Sequence, residues 1–333
     1  MFSVLKNENN FTGIQSETEF NRLALSTFRY QVENNRLYRA WVQHLGVDAE
    51  QVHVPEQIPF LPIEFFKQQA VVCGEPSAQA TRFYSSGTTG QIPSVHVVNN
   101  LALYEASFMA GFTRVYGPVE DYCILALLPN YLEREGSSLV YMVHHLIAAS
   151  KHAESGFFLH QYQALADKLE QLRADAQKVM LIGVSYALLD LCDYHPRFNA
   201  DAIVMETGGM KGKRAELLKP ELHALLKKGF GVNSIHSEYG MTELLSQAYS
   251  QGDGRFECPP WMKVLIRRVD DPLSYCAAGK TGGINVIDLA NRESCSFIAT
   301  KDLGRVYEDG GFEIMGRYNQ SDVRGCNLMV ENY

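Results

Sequence analysis

The 333-residue sequence predicts an α/β protein: a largely parallel sheet covered by helices, followed by a smaller β-rich subdomain. Three observations carry that prediction. Between residues 101 and 227, short apolar runs alternate with longer amphipathic ones, and parallel strands need crossover helices of that kind. From Lys263 onward the pattern changes to short β-like runs separated by turn residues. The composition, 46% hydrophobic and 20% charged, is that of a chain folded nearly throughout.

Taken in order, residues 17–45 place Phe20, Leu23, Leu25, Phe28, Tyr38 and Trp41 at helical spacing and predict an N-terminal helical segment. Pro59 and Pro62 break it. Helices are predicted over residues 101–115, 138–149, 161–175 and 215–227, and strands over 123–128, 179–184 and 202–206. Further strands follow at 264–269, 283–287 and 296–299. The expected organisation is a core over residues 1–262, a β-rich subdomain over 263–317 and a short tail over 318–333.

A net charge of −8 argues against a nucleic-acid surface, which needs a broad basic field. The apolar runs are strand-sized, well short of the roughly 20 residues of a membrane helix. The polar first ten residues carry no apolar export segment, so a cytoplasmic location is expected. Seven cysteines with no CxxC spacing fit reduced thiols better than disulfides or zinc.

One loop stands out. Tyr84-Ser85-Ser86-Gly87-Thr88-Thr89-Gly90 packs hydroxyl side chains around two glycines, whose backbone lets an anion approach closely. On composition alone it reads equally as a polyphosphate cradle or a surface turn. It is not a Walker A loop, since the GK[ST] ending is missing.

The order of these residues resembles the phosphate loop of the adenylate-forming superfamily, which includes acyl-CoA synthetases, luciferases and nonribosomal peptide adenylation domains. Many members close this loop with Pro-Lys. Here Pro93 precedes Ser94, as in phenylacetate-CoA-ligase-like branches. Two more segments follow in the superfamily's order. Glu238-Tyr239-Gly240-Met241-Thr242-Glu243 resembles its YGxTE motif, and Thr300-Lys301-Asp302-Leu303-Gly304-Arg305 with Gly316-Arg317 resembles its TGDL…GR segment.

The resemblance implies the fold of that superfamily's N-terminal domain, with ATP and Mg²⁺ as cofactors. It implies that Ser85, Ser86, Gly87, Thr88, Thr89 and Gly90 cradle phosphates. Tyr239 and Gly240 would line the adenine site, with Tyr239 stacking on the base, and Thr242 would contact the α-phosphate. Glu243 would ligate Mg²⁺, Asp302 would bind the ribose hydroxyls, and Arg317 would lie near the ribose. Gly208 and Gly209 would wall the adenine, with Lys211 facing the nucleotide or forming part of a basic surface run with Lys213 and Arg214. Without that context, Glu243 reads as a solvated acid in the first turn of a helix.

Superfamily members continue past the GR segment into a mobile domain that brings a catalytic lysine, for which the residues after Arg317 leave no room. By position alone Cys326 reads as one more packed cysteine, or as a thiol on a mobile tail beside Arg324. Residues 58–67 (IPFLPIEFFK), 128–142 (LPNYLEREGSSLVYM), 207–213 (TGGMKGK) and 323–326 (VRGC) sharpen the resemblance to the acyl-protein synthetases, the long-chain-fatty-acid-protein ligases of bacterial bioluminescence operons. That family implies a carboxylic, fatty acid substrate and acyl transfer to Cys326, then to an acyl-reductase partner. Two alternatives stay open: a ligase delivering the acyl group to CoA or a carrier protein, and a non-catalytic nucleotide-binding subunit.

Overall fold

A parallel strand buried on both faces reads as an unbroken apolar run, and Cys123–Leu127 and Val179–Val184 are such runs, buried at every position. They lie at the centre of the principal sheet. The computed structural model describes residues 11–86, 92–129, 135–199, 201–208 and 217–317. In chain order these form α1 (Glu17–Asn34), α2 (Arg36–His44), β1 (Leu61–Pro62), α3 (Phe65–Gln68), β2 (Thr81–Tyr84), β3 (Val95–Val98), α4 (Leu101–Tyr116), β4 (Cys123–Leu127), α5 (Ser138–Ser150), β5 (Gly156–Phe158), α6 (Tyr162–Ala174) and β6 (Val179–Val184). Then come α7 (Ser185–Cys192), β7 (Ile203–Thr207), α8 (Lys219–Phe230), β8 (His236–Tyr239), β9 (Ala248–Ser250), β10 (Arg255–Phe256), β11 (Met262–Arg267), β12 (Gly282–Asp288), β13 (Phe297–Val306) and β14 (Phe312–Arg317).

The principal sheet has the order β5-β4-β6-β7-β8-β9, parallel from β5 to β8 and closed by antiparallel β9. Helices α5, α6, α7 and α8 make the crossovers between successive parallel strands. The second sheet, β10-β14-β13-β12-β11, is antiparallel, and β1 joins it parallel to β13. It therefore draws on Leu61, Pro62, Arg255 and Phe256 as well as on residues beyond 262. A separate hairpin pairs β2 with β3. No described helix is long and apolar enough to cross a membrane.

The expected N-terminal helical segment is two helices. Ser16 caps α1, accepting a bond from the Glu19 amide at 3.2 Å. Asn35 then leaves helical geometry, ending α1, and caps α2 by accepting from the Tyr38 amide at 3.0 Å. Its side-chain Nδ2 donates to the Ser294 carbonyl at 2.9 Å, so the break is held by the turn that precedes β13. The predicted helix over 215–227 lies three residues further on at its C-terminal end, stopping at Phe230 where Gly231 takes a left-handed φ of 67°. Helix α7 was not expected. Only Ser185 separates its apolar residues from those of β6, a boundary too slight to read as a change of element.

The N-terminal helices pack on the second sheet through Phe297. Its ring is fully buried, edge-on to Phe28 and Phe60 at 6.2 and 6.1 Å between centroids and stacked on Tyr38 at 6.1 Å. Phe297→Ala should cost about 3–5 kcal/mol through lost transfer energy and the cavity left behind. Urea denaturation checks this, and a loss below 1 kcal/mol would show that the aromatic cluster collapses to fill the space.

Candidate active site

The site forms where the two sheets and the hairpin meet. The last residue of β8 is Tyr239, and its hydroxyl donates to Asp302 Oδ2 at 2.9 Å, joining the principal sheet to β13 of the second. Arg317, opposite Asp302 in β14, donates from Nε to Asp302 Oδ1 at 3.3 Å while most of its side chain stays in solvent. Three residues of the two distant motifs are thus in direct contact.

The turn after β8 is fixed from two sides. Asp288, fully buried at the end of β12, accepts from the amides of Leu245 (2.8 Å), Ser246 (3.0 Å) and Ala290 (3.1 Å) and from the Ser246 hydroxyl (2.5 Å). With its proton given to Asp288, Ser246 Oγ is left to accept from the indole N–H of Trp261 at 3.0 Å. Asn291 donates to the carbonyls of Glu243 (2.8 Å) and Cys295 (2.9 Å). From the hairpin, His96 meets the Thr242 carbonyl through Nδ1 at 2.8 Å and Asn291 Oδ1 through Nε2 at 3.1 Å. Burial pushes the His96 pKa down to about 4, so the ring is neutral. Both partners are carbonyl oxygens that only accept, so the neutral ring donates to one of them and not to the other.

The same hairpin carries the phosphate-loop candidate. Ser85 and Ser94 close its mouth, with the Ser85 amide donating to the Ser94 carbonyl at 3.0 Å and the Ser94 amide to Ser85 Oγ at 2.8 Å. The Ser94 side chain also hydrogen-bonds Glu243, so the base of this loop and the YGMTE segment share a contact. Glu243 is buried, and burial raises its carboxyl against the pull of Ser94, its own backbone and Arg317. A buried carboxyl in that condition is relieved by a cation.

Ser85, Ser86, Gly208, Tyr239, Gly240, Thr242, Glu243, Asp302 and Arg317 are all described, whereas Gly87, Thr88, Thr89, Gly90, Gly209, Lys211 and Cys326 lie outside the described residues. Gly208 follows β7 in a left-handed conformation, φ 67°, and its carbonyl accepts from Ser185 Oγ at 3.4 Å. Among the described residues no group of three or more His, Cys, Asp or Glu side chains could hold a metal, and the described cysteines form no disulfide with one another.

Beside the nucleotide motifs lies a buried polar cluster that sequence reasoning did not single out. Burial would raise the Glu206 carboxyl, but Lys219, with Nζ 2.5 Å away, His223 and Ser237 outweigh it and hold it at about 2. Glu238, next to Tyr239, is the opposite case. Burial pushes it up to about 7, with the neighbouring Glu206 charge adding to the rise and the Thr207 hydroxyl opposing it. His96, Asn291, Asp288 and Glu206 have no local motif. Their partners lie up to 195 residues away.

Glu238 gives a pH signature. Its folded-state pKa lies above the reference value of 4.5, so its contribution is fully favourable below 4.5 and is lost as pH rises through 7. The loss is up to about 3 kcal/mol. Glu238→Gln should remove it, leaving the variant more stable than the parent at pH 8 and equal to it at pH 4. Urea midpoints across this range check the sign, and a parent midpoint that stays flat would contradict it.

The comparisons with known proteins agree with this geometry. The family model for acyl-protein synthetase, LuxE, matches residues 9–333. The long-chain-fatty-acid–luciferin-component ligase of Vibrio harveyi is 24% identical over 332 residues, covering 93% of this chain and 86% of that protein. An open conformation of 2-hydroxyisobutyryl-CoA ligase, solved with 2-HIB-AMP and CoA, superposes with a TM-score of 0.68 at 12% identity over 92% of this chain and 71% of that one. An ATP-bound RpMatB-BxBclM chimera superposes with a TM-score of 0.51 at 17% identity over 71% of this chain, which spans only 47% of the chimera's length. At these identities the solved structures establish the fold, that of adenylate-forming ligases. Matched from residue 9 onward by sequence and along nearly its whole length by fold, the chain belongs to the acyl-protein synthetase family, LuxE.

Proposed function

We propose that this protein is an acid–thiol ligase that activates a carboxylic, fatty acid with ATP and passes the acyl group to its own Cys326, and from there to a partner protein of the acyl-reductase kind. In the first step a carboxylate oxygen attacks the α-phosphorus, the bond to the pyrophosphate oxygen breaks, and acyl-AMP forms. In the second the Cys326 sulfur attacks the acyl carbonyl, loses its proton, and displaces AMP. The first step is needed because a free carboxylate is a poor electrophile.

The observation that carries this reading is the contact between distant motifs: Tyr239 bonded to Asp302, and Ser94 at the base of the hydroxyl loop bonded to Glu243. In this reading Tyr239 and Gly240 line the adenine site and Asp302 accepts from the ribose hydroxyls, with Arg317 beside it. Ser85, Ser86, Thr88 and Thr89 donate to phosphates, and Thr242 to the α-phosphate. Glu243 would hold Mg²⁺, which would supply positive charge against the phosphates. A single buried carboxylate fits a cation whose other ligands are phosphates and water. Gly208 and Gly209 wall the nucleotide, and Lys211 faces it.

The CoA bound to the 2-hydroxyisobutyryl-CoA ligase favours a second reading for the acceptor, in which the acyl group passes to CoA. Both readings share the first step, and they separate in one variant.

ATP–pyrophosphate exchange over a panel of acids tests activation, which is refuted if no acid supports exchange. Glu243→Gln should lower exchange by about 100-fold or more, with a raised Mg²⁺ requirement. Cys326→Ser should keep exchange and lose covalent labelling by radioactive acid. Labelling that survives would remove Cys326 from its role, and acyl-CoA formation unchanged in Cys326→Ser would establish CoA as the acceptor.

A further inference from the structure

We infer that Arg317 is a catalytic residue of acid activation: its guanidinium holds the α-phosphate and the attacking carboxylate through its two Nη nitrogens, while Nε stays on Asp302. This rests on the acid-activating reading above and adds to it the cation that meets the charge of the reacting centre.

The backbone aims this side chain. Strand β14 pairs with β13 as Phe312 to Val306, Glu313 to Arg305 and Ile314 to Gly304, and then as Gly316 to Leu303 and Arg317 to Asp302. Met315 has no opposite residue, so β14 carries a bulge there. In an unbroken ladder Arg317 would stand opposite Lys301, on the face of β13 turned away from Asp302, because side chains alternate along a strand. The bulge brings it to the face of Asp302 instead. Gly316 suits the bend, since its φ of 135° is one that residues with a side chain rarely adopt.

The partners of Arg317 mark its place along the nucleotide. Asp302, which it bonds at 3.3 Å, is the carboxylate read as binding the ribose. Its charge also acts on Glu243, the carboxylate read as holding Mg²⁺ against the phosphates. In ATP the α-phosphate is the group between the ribose and the other phosphates, so a cation that acts on both carboxylates flanks it. Among the described residues only Nε of Arg317 is bonded, and the side chain is 82% exposed. That leaves the paired Nη edge of the fork, which fits two oxygens of an anion. The other described cations around the cluster are committed elsewhere: Lys219 to Glu206, Lys301 to Glu64 and Arg305 to Glu313.

The step needs such a cation. A carboxylate oxygen bonds to the α-phosphorus, the bond from that phosphorus to the pyrophosphate oxygen breaks, and no proton moves. Two anions must approach, and negative charge builds on the non-bridging α-oxygens as they meet. A guanidinium fixed beside them offsets both costs, and it donates hydrogen bonds without giving up a proton.

Calorimetric binding of AMP and of its 2′-deoxy and 3′-deoxy forms tests the assignment, with ATP–pyrophosphate exchange beside it. Arg317→Ala should weaken AMP by about tenfold or more. It should keep the parent's penalty for a missing ribose hydroxyl, whereas Asp302→Asn should erase that penalty. In exchange, Arg317→Ala should lower kcat by about 100-fold or more. Arg317→Gln, which keeps the length without the charge, should show the same losses, and circular dichroism and the urea midpoint verify that both variants fold. Lys301→Ala, on the opposite face, should stay within about threefold of the parent in both assays; a loss there as large as that of Arg317→Ala would make the effect a diffuse one and overturn the inference. AMP affinity or kcat within about threefold of the parent in both Arg317 variants, or a hydroxyl penalty erased in them, also overturns it and leaves acid activation intact. A parent that supports exchange with no acid overturns the activation reading, and this inference with it.

Discussion

The structure depends on one buried carboxylate. Asp288 stands at the end of a strand of the second sheet, yet three of its four bonds go to Leu245 and Ser246, which follow the last parallel strand of the first. Its charge needs donors, and a chain without regular structure has free amides that need an acceptor; each need satisfies the other. Asn291, three residues on, applies the same logic to the Glu243 carbonyl, and His96 applies it to Thr242. The segment joining β8 to β9 is therefore a rigid shelf although it has no secondary structure of its own. Any chemistry placed on Thr242 and Glu243 inherits that rigidity.

Charge is distributed unevenly around the shelf. Glu206 is paired with Lys219 and surrounded by donors, so it is an anion that holds α8 against the C-terminal ends of the parallel strands. Glu243 has donors but no bonded cation among the described residues, and burial works against its charge. Two glutamates 37 residues apart in sequence thus have opposite electrostatic fates, one settled inside the fold and the other left for a ligand to settle. In the proposed reading, that asymmetry separates a structural ion pair from a metal-binding group.

Much of this was legible in the sequence. The Val179–Val184 strand has the predicted limits, and the helices at 101 and 138 begin where their apolar periodicity starts, because Asn100 and Ser137 cap them locally. Helix α7 was not legible because, after Ser185, its apolar first turns carry no period distinct from the preceding strand. The break at Asn35 was missed because a residue in a distant turn enforces it. At the candidate site, Tyr239, Thr242, Glu243 and Asp302 could be singled out because they sit in ordered motifs, and the structure brings Tyr239 and Asp302 into contact. Asp288, Asn291 and His96 could not, since hydrogen-bond partners brought together by tertiary folding leave no spacing to read. Glu238 was in plain view inside the motif, but its significance comes from burial, which the sequence does not display.

The pairing of Arg317 with Asp302 also sets the length of a tether. Cys326 is the ninth residue after Arg317, so the thiol stays within about 30 Å of the anchored strand whatever path the chain takes. A group leashed on that scale has an effective concentration of about a millimolar or more at the site. In the proposed reading, capture of a hydrolysis-prone acyl-adenylate by such a thiol would be a first-order event, independent of how much free acceptor surrounds the protein.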